Sequence, residues 1–178
     1  MTAIEMDTVT TPKVTAPRTT LVLLISGILA MVVGFGAMAG GLFGVWYTWD
    51  QAVAQDVVTP DDAAIAETAM RGPFTMWAEA DIINTHQLEN TGGLYYAQMD
   101  RMVPQVDESG AAVLDANGDP VLVPNEVRAS WVTATTLITA LGLGILSYTV
   151  SGLAIAVGFA LMVTGFVFLY LRKRAIIL

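Results

Sequence analysis

Charged residues are missing from two long stretches of this chain. From Thr19 to Trp49, and again from Ala129 to Leu171, there is no Asp, Glu, Lys, Arg or His. Each stretch exceeds the roughly 20 apolar residues that cross a bilayer's hydrocarbon core, and neither carries the polar face a helix needs in water. The pattern predicts a mainly α protein, a two-span transmembrane helical hairpin. Its first span covers 19–49 and its second, longer one 131–171, and a small α+β domain over 50–130 lies between them. As one helix the second run would be about 64 Å long at 1.5 Å per residue. A split near Ser151-Gly152 is the alternative, but it would carry Arg172, Lys173 and Arg174 to the other side of the membrane. A single helix whose threonine-rich first turns (Thr133, Thr135, Thr136, Thr139) rise above the bilayer fits the charges better. Ala37-Met38-Ala39 has the form of a signal-peptidase site, yet Gly40 to Trp49 continue apolar and aromatic, so the run reads as a retained span.

Between the spans the punctuation is denser. Thr59-Pro60-Asp61-Asp62 predicts a helix start with an acidic first turn, running to Met70 before Arg71-Gly72-Pro73. A second helix is expected from Phe74 to about Asn90, with Trp77, Ala80, Ile83 and Leu88 on its apolar face and Gly92-Gly93 closing it. A third short helix is expected over Leu94–Met102, up to Pro104. Ala112–Leu114 and Val121–Val123, around Asn117-Gly118, predict one β-hairpin. The Thr/Pro-rich residues 1–18 are expected to be disordered, and 172–178 to form a basic tail. Within the spans, Gly36, Gly40 and Gly44 stand at four-residue spacing, with Ala154, Gly158 and Gly165 in the second span. Small residues so placed let another backbone approach closely, which drives helix association in lipid. They serve either the packing of the two spans on each other or the docking of a different protein or a second copy.

Charge sets the orientation. Residues 50–130 hold fourteen acids and three arginines, a net charge of −11, against −8 for the whole chain. Lys13, Arg18, Arg172, Lys173 and Arg174 flank the terminal ends of the spans and only Arg128 the loop end. The positive-inside rule therefore puts both termini in the cytoplasm and 50–130 outside the plasma membrane. Trp46, Tyr47, Trp49 and Trp131 are then expected at the outer interface and Tyr170 at the inner one. So acidic a loop does not bind nucleic acid. The absence of cysteine excludes disulfides, thiolate metal sites and covalent c-type haem.

Chemistry-bearing constellations are sparse. His86, the single histidine, falls on one helical face with Glu79 and Glu89, a set able in principle to ligate a divalent metal or move a proton. The bland counterpart is a solvated acidic helix with its histidine satisfied by a carboxylate. Asp115, Asn117, Asp119 and Glu126 match oxygen-donor positions of a calcium loop, but Pro120 stands where that loop needs a glycine, so a plain turn is expected. There is no phosphate-binding glycine loop, GxSxG or HExxH motif, and no ionisable residue inside either span to relay protons. No cofactor is expected.

Gly72-Pro73-Phe74, Ala80 to His86, Gly92-Gly93-Leu94-Tyr95-Tyr96-Ala97, Asp100-Arg101 and Arg128-Ala129-Ser130 resemble the motifs of a family of small two-span actinobacterial membrane proteins. The likeness covers roughly residues 65–170, and the stretch Val106–Val123 is an insertion against that pattern. Members often carry the name aromatic ring-opening dioxygenase. That chemistry commonly uses iron on two histidines and a carboxylate, and this chain has one histidine, so the resemblance implies a fold and a topology, not that activity. The expected function is a non-enzymatic accessory or assembly subunit of a larger cell-envelope complex, a respiratory-chain complex being one candidate. Its acidic outer face would meet a basic partner. The alternatives are a metal-binding enzyme or sensor built on Glu79, His86 and Glu89, and a self-associating envelope protein.

Overall fold

The computed structural model describes residues 16–177; of the 1–18 expected to be disordered, residues 16–18 are instead the first turn of a helix, and 1–15 lie outside the described residues. The element order is α1 (Ala16–Ala54), α2 (Pro73–Asn90), a single 3₁₀ turn (Tyr96–Gln98), β1 (Met102–Pro104), β2 (Leu122–Pro124) and α3 (Glu126–Ile177). Among the described residues two helices are long and apolar enough to cross a membrane, Arg18–Ala54 and Glu126–Arg174, containing 18-residue stretches of mean hydropathy 2.5 and 2.3. α3 runs unbroken through Ser151-Gly152 and carries the basic residues 172–174 as helix, not as a separate tail.

The chain divides into two compact units, one formed by the segments up to Gly41 and from Leu153 onward, the other by Leu42–Gly152. In the first unit, α1 and α3 run antiparallel with glycine against glycine. A Cβ on Gly34 would lie 2.6 Å from the Gly158 carbonyl oxygen, and a Cβ on Gly158 would lie 2.6 Å from that of Gly34. Gly27 and Gly165 repeat the arrangement one heptad away, with a Cβ on Gly165 only 2.7 Å from the Gly27 oxygen. Met162, Met38 and Met31 lie over Gly34, Gly158 and Gly165, and Leu169 lies over Gly27. The seam follows a seven-residue period, as when flexible knobs fill holes left by small residues.

In the second unit the last turns of α1, the following loop, α2 and the first turns of α3 share a small core of Ala52, Met70 and Met76, with Leu141, Ile145 and Tyr148 against it. Thr48 and Ser147 join the two long helices through a 2.6 Å hydroxyl pair, and Ser151 sits against Gly44. α1 ends where Asp56 turns left-handed (φ 51°).

The connecting region departs from expectation in four places. Residues 60–70 form turns and bends with a Val58–Ala69 bridge, not a helix. Thr59, only 1% exposed, accepts a hydrogen bond from the Thr68 N–H (3.0 Å) and donates to the Ile65 carbonyl (2.5 Å), so a side chain satisfies the backbone that a helix would have used. The helix expected over 94–102 is reduced to the 3₁₀ turn, where the Tyr95 N–H donates to Gln98 Oε1 (2.8 Å) and the Gln98 N–H to the Tyr95 carbonyl (2.9 Å), and Met102 already begins β1. β2 pairs antiparallel with β1, Val103 opposite Val123, and 112–114 makes only bridges (Val106–Ala112, Leu114–Pro120). Finally, α2 buries Met76, Ala78, Ile82 and Gln87 and leaves Trp77 52% exposed, so its inner face lies beside the one expected.

Two eight-residue units, Asp107–Leu114 and Asp115–Leu122, explain the irregular sheet. Asp107 accepts hydrogen bonds from the N–H groups of Ser109 and Ala111, and Asp115 accepts from those of Asn117 and Asp119. Each turn closes on a glycine with positive φ, Gly110 at 82° and Gly118 at 89°. The Ser109 hydroxyl, which donates to Asp107 (2.7 Å), together with the N–H groups of Ala111 and Ser109 holds the Asp107 carboxyl below the usual carboxylate range, and the N–H groups of Asp119 and Asn117 do the same for Asp115. Asp115 Oδ1, the first position of the calcium-loop register, is thus committed to its own turn.

Candidate functional site

Gly72-Pro73 and Gly92-Gly93 bound α2, and side chains of α2, the following loop and the first turns of α3 fasten it to α3. Pro73 starts α2 with its missing N–H at a helix end that needs none. Thr75 Oγ1 accepts from the N–H groups of Arg71 and Gly72 at 3.1 and 3.2 Å. At the other end Gly92 and Gly93 adopt φ of 62° and 82°, turning the chain so that the Gly93 N–H reaches the Leu88 carbonyl (2.7 Å). The chain beyond is clamped to the first turns of α3. Trp131 donates from its indole nitrogen to the Leu94 carbonyl (3.0 Å). Arg128 lies 3.6 Å from the Tyr96 ring centroid and donates to the Tyr96 carbonyl. Gln87 donates to Ser130 Oγ (2.6 Å). Trp131, expected at a membrane interface, is instead 4% exposed and belongs to this clamp.

So fastened, α2 closes one side of a cavity of about 500 Å³ within the second unit. Its apolar wall includes Ala52, Met70, Met76, Ile83 and Leu141, and its polar groups are Thr48, Gln51, Gln55 and Glu79. No Lys, Arg or His lines it. The volume and the few polar groups on an apolar wall are those of a small-molecule site. Glu79 Oε2 is buried with no hydrogen-bond partner. Burial pushes the Glu79 carboxyl up from its ordinary value, partly opposed by the nearby charge of His86.

The Glu79, His86, Glu89 triad does not converge, and among the described residues no three His, Asp or Glu side chains could hold a metal ion. His86 Nε2 instead meets Asp62 Oδ2 at 2.6 Å, both side chains about half exposed. The hydrogen bond to Asp62 raises the His86 pKa, against a lowering by partial desolvation, and the charges of Asp62, Glu89 and Glu79 raise it further. The same bond lowers that of Asp62. Glu79 and Glu89 thus act on His86 through space.

The span glycines divide sharply. Gly44, Gly158 and Gly165 meet the partner helix of their own chain, and Ala154 is half-buried. Gly36 and Gly40 meet nothing within 4 Å of an added Cβ. Sequence reasoning missed Gly27 and Gly34, whose spacing from each other and from Gly41 is seven, because it looked for a period of four. It also missed Asp62, whose approach to His86 depends on how the 57–71 loop folds, and the cavity, which no local pattern encodes. Comparison with known protein families, with characterised proteins and with solved structures finds no match.

Proposed function

We propose that the chain is a non-enzymatic integral membrane protein with two spans, an accessory or assembly subunit of a larger cell-envelope complex, related in kind to the actinobacterial proteins its motifs resemble. Both termini lie in the cytoplasm, and the acidic region 50–130 faces outward to a basic partner surface. A helix of the partner lies along Gly36 and Gly40. The observation that carries the reading is the division among glycines: Gly27, Gly34, Gly158 and Gly165 are enclosed in the chain's own seam, while Gly36 and Gly40 open outward with nothing against them. In lipid such a face is a close-approach surface for another helix. The fourteen acids against three arginines between the spans support a cationic counterpart outside.

The test places a photo-crosslinking amino acid at position 36 or 40 in cells expressing the chain at native level, with the exposed position 35, about 100° round the helix from 36, as a control. A discrete adduct with one different membrane protein at 36 and 40 but not at 35, identified by mass spectrometry, is expected. Adducts with a second copy of this chain would replace the accessory reading by self-association. Only diffuse lipid adducts at both positions would overturn both.

A further inference from the structure

The cavity beside α2 has an electrostatic peculiarity that the partner reading leaves unused. Among the described residues Glu79 is the only ionisable group in its wall. One of its oxygens is buried without a hydrogen-bond partner, and no cationic side chain stands within ion-pair distance of it among the described residues. A partly desolvated carboxylate whose nearby positive charge, His86, acts on it only through space is costly to keep. A ligand that brings a cation into contact with it is correspondingly favoured, because opposite charges attract more strongly where water is partly excluded. The rest of the wall fits such a molecule. Met70, Met76, Ile83 and Leu141 would contact an apolar body, and the amides of Gln51 and Gln55 and the hydroxyl of Thr48 offer carbonyl and hydroxyl acceptors to remaining N–H groups. The carboxyl turns on a broad terminal torsion, so either oxygen can face the cavity. Anions are opposed twice, by Glu79 itself and by the net −10 of the other charges in residues 50–130.

We infer that this cavity is a binding site for an amphipathic amine: a molecule with a compact or chain-like apolar body and one cationic nitrogen, with Glu79 as its counter-ion. Two sources supply that chemistry, the headgroup of an amine-bearing lipid and a free lipophilic amine. Both would place nitrogen at Glu79 and carbon against the methionines.

The experiment uses the full chain reconstituted in nanodiscs of phosphatidylglycerol, which lacks an amine, and titrates adamantylmethylamine against its neutral isostere adamantylmethanol by calorimetry. The amine is expected to bind at least tenfold more tightly than the alcohol, and Glu79→Gln to remove that difference. Glu79→Asp, which keeps the charge, should preserve most of it. Thermal unfolding of each variant verifies the fold. Glu79→Gln removes a charge that burial opposes, so the fold is expected to hold. Should it not, Ile83→Trp, which narrows the cavity beside Glu79 and leaves that carboxylate in place, serves instead and should weaken amine binding. Equal binding of amine and alcohol, no specific binding of the amine, or an amine affinity unchanged in a folded Glu79→Gln or Ile83→Trp variant would overturn the inference. Replacing half the lipid by phosphatidylethanolamine separates the sources: competition with the soluble amine identifies the headgroup as occupant, and undiminished binding identifies a free amine.

Discussion

His86 and Asp62 join the loop after α1 to the outer face of α2, and their charges make that joint depend on pH. The His86 pKa is raised above 6.5, so its stabilising contribution is complete below its unfolded value and is lost as pH rises through the raised one. The Asp62 pKa is lowered below 3.8, so its contribution is present above the unfolded value and is lost as pH falls through the lowered one. The pair therefore holds best between those limits, in mildly acid solution. His86→Ala should lower the unfolding temperature relative to native protein most within that window and little at alkaline pH. A difference that grows above neutrality would contradict the assignment. Since both groups are half exposed, the effect is small and screened by salt. Single residues also mark where sequence reading stops. The helix expected after Thr59 is absent because the Thr59 hydroxyl takes up the Thr68 N–H and gives its proton to the Ile65 carbonyl. Nothing in the run Pro60-Asp61-Asp62 announces that capture.

Among elements, α2 was the most legible. Gly72-Pro73 and Gly92-Gly93 bracket it because each dictates a backbone conformation, and its observed bounds differ from the expected ones by one residue at the start. The hydrophobic face was harder, since Trp77 points outward while Gln87 turns in to meet Ser130. The span seam is legible in α3, where Gly158 and Gly165 stand a heptad apart, and hidden in α1, where the four-residue spacing of Gly36, Gly40 and Gly44 masks the seven-residue spacing of Gly27 and Gly34. Methionines cover Gly34, Gly158 and Gly165, and Leu169 covers Gly27. This division gives a sharp expectation. Gly158→Leu puts a side chain where the Gly34 carbonyl oxygen would be 2.6 Å away, and overpacking of that kind costs about 1–3 kcal/mol or more. Gly40→Leu, facing open space, should leave the isolated chain's stability within about 0.5 kcal/mol. Denaturant titration of the purified chain in mild detergent measures both. Equal losses would show that the seam lies elsewhere.

For the whole molecule, two facts were readable at once: the paired charge-free stretches and the acidity of what lies between them. Lipid leaves so strong a mark because its solvent rules forbid charges over a whole element, whereas the cavity and the α2 clamp depend on contacts distant in sequence. The central claim is that α1 and α3 cross the membrane and present residues 50–130 outside. The absence of cysteine makes single-cysteine labelling in intact cells its most direct test, with a membrane-impermeant maleimide applied to Ser109→Cys and Lys173→Cys variants. The account predicts that the cysteine at 109 is labelled in intact cells and that at 173 only after permeabilisation. Labelling at 173 alone, or at neither position until the cells are opened, would contradict it.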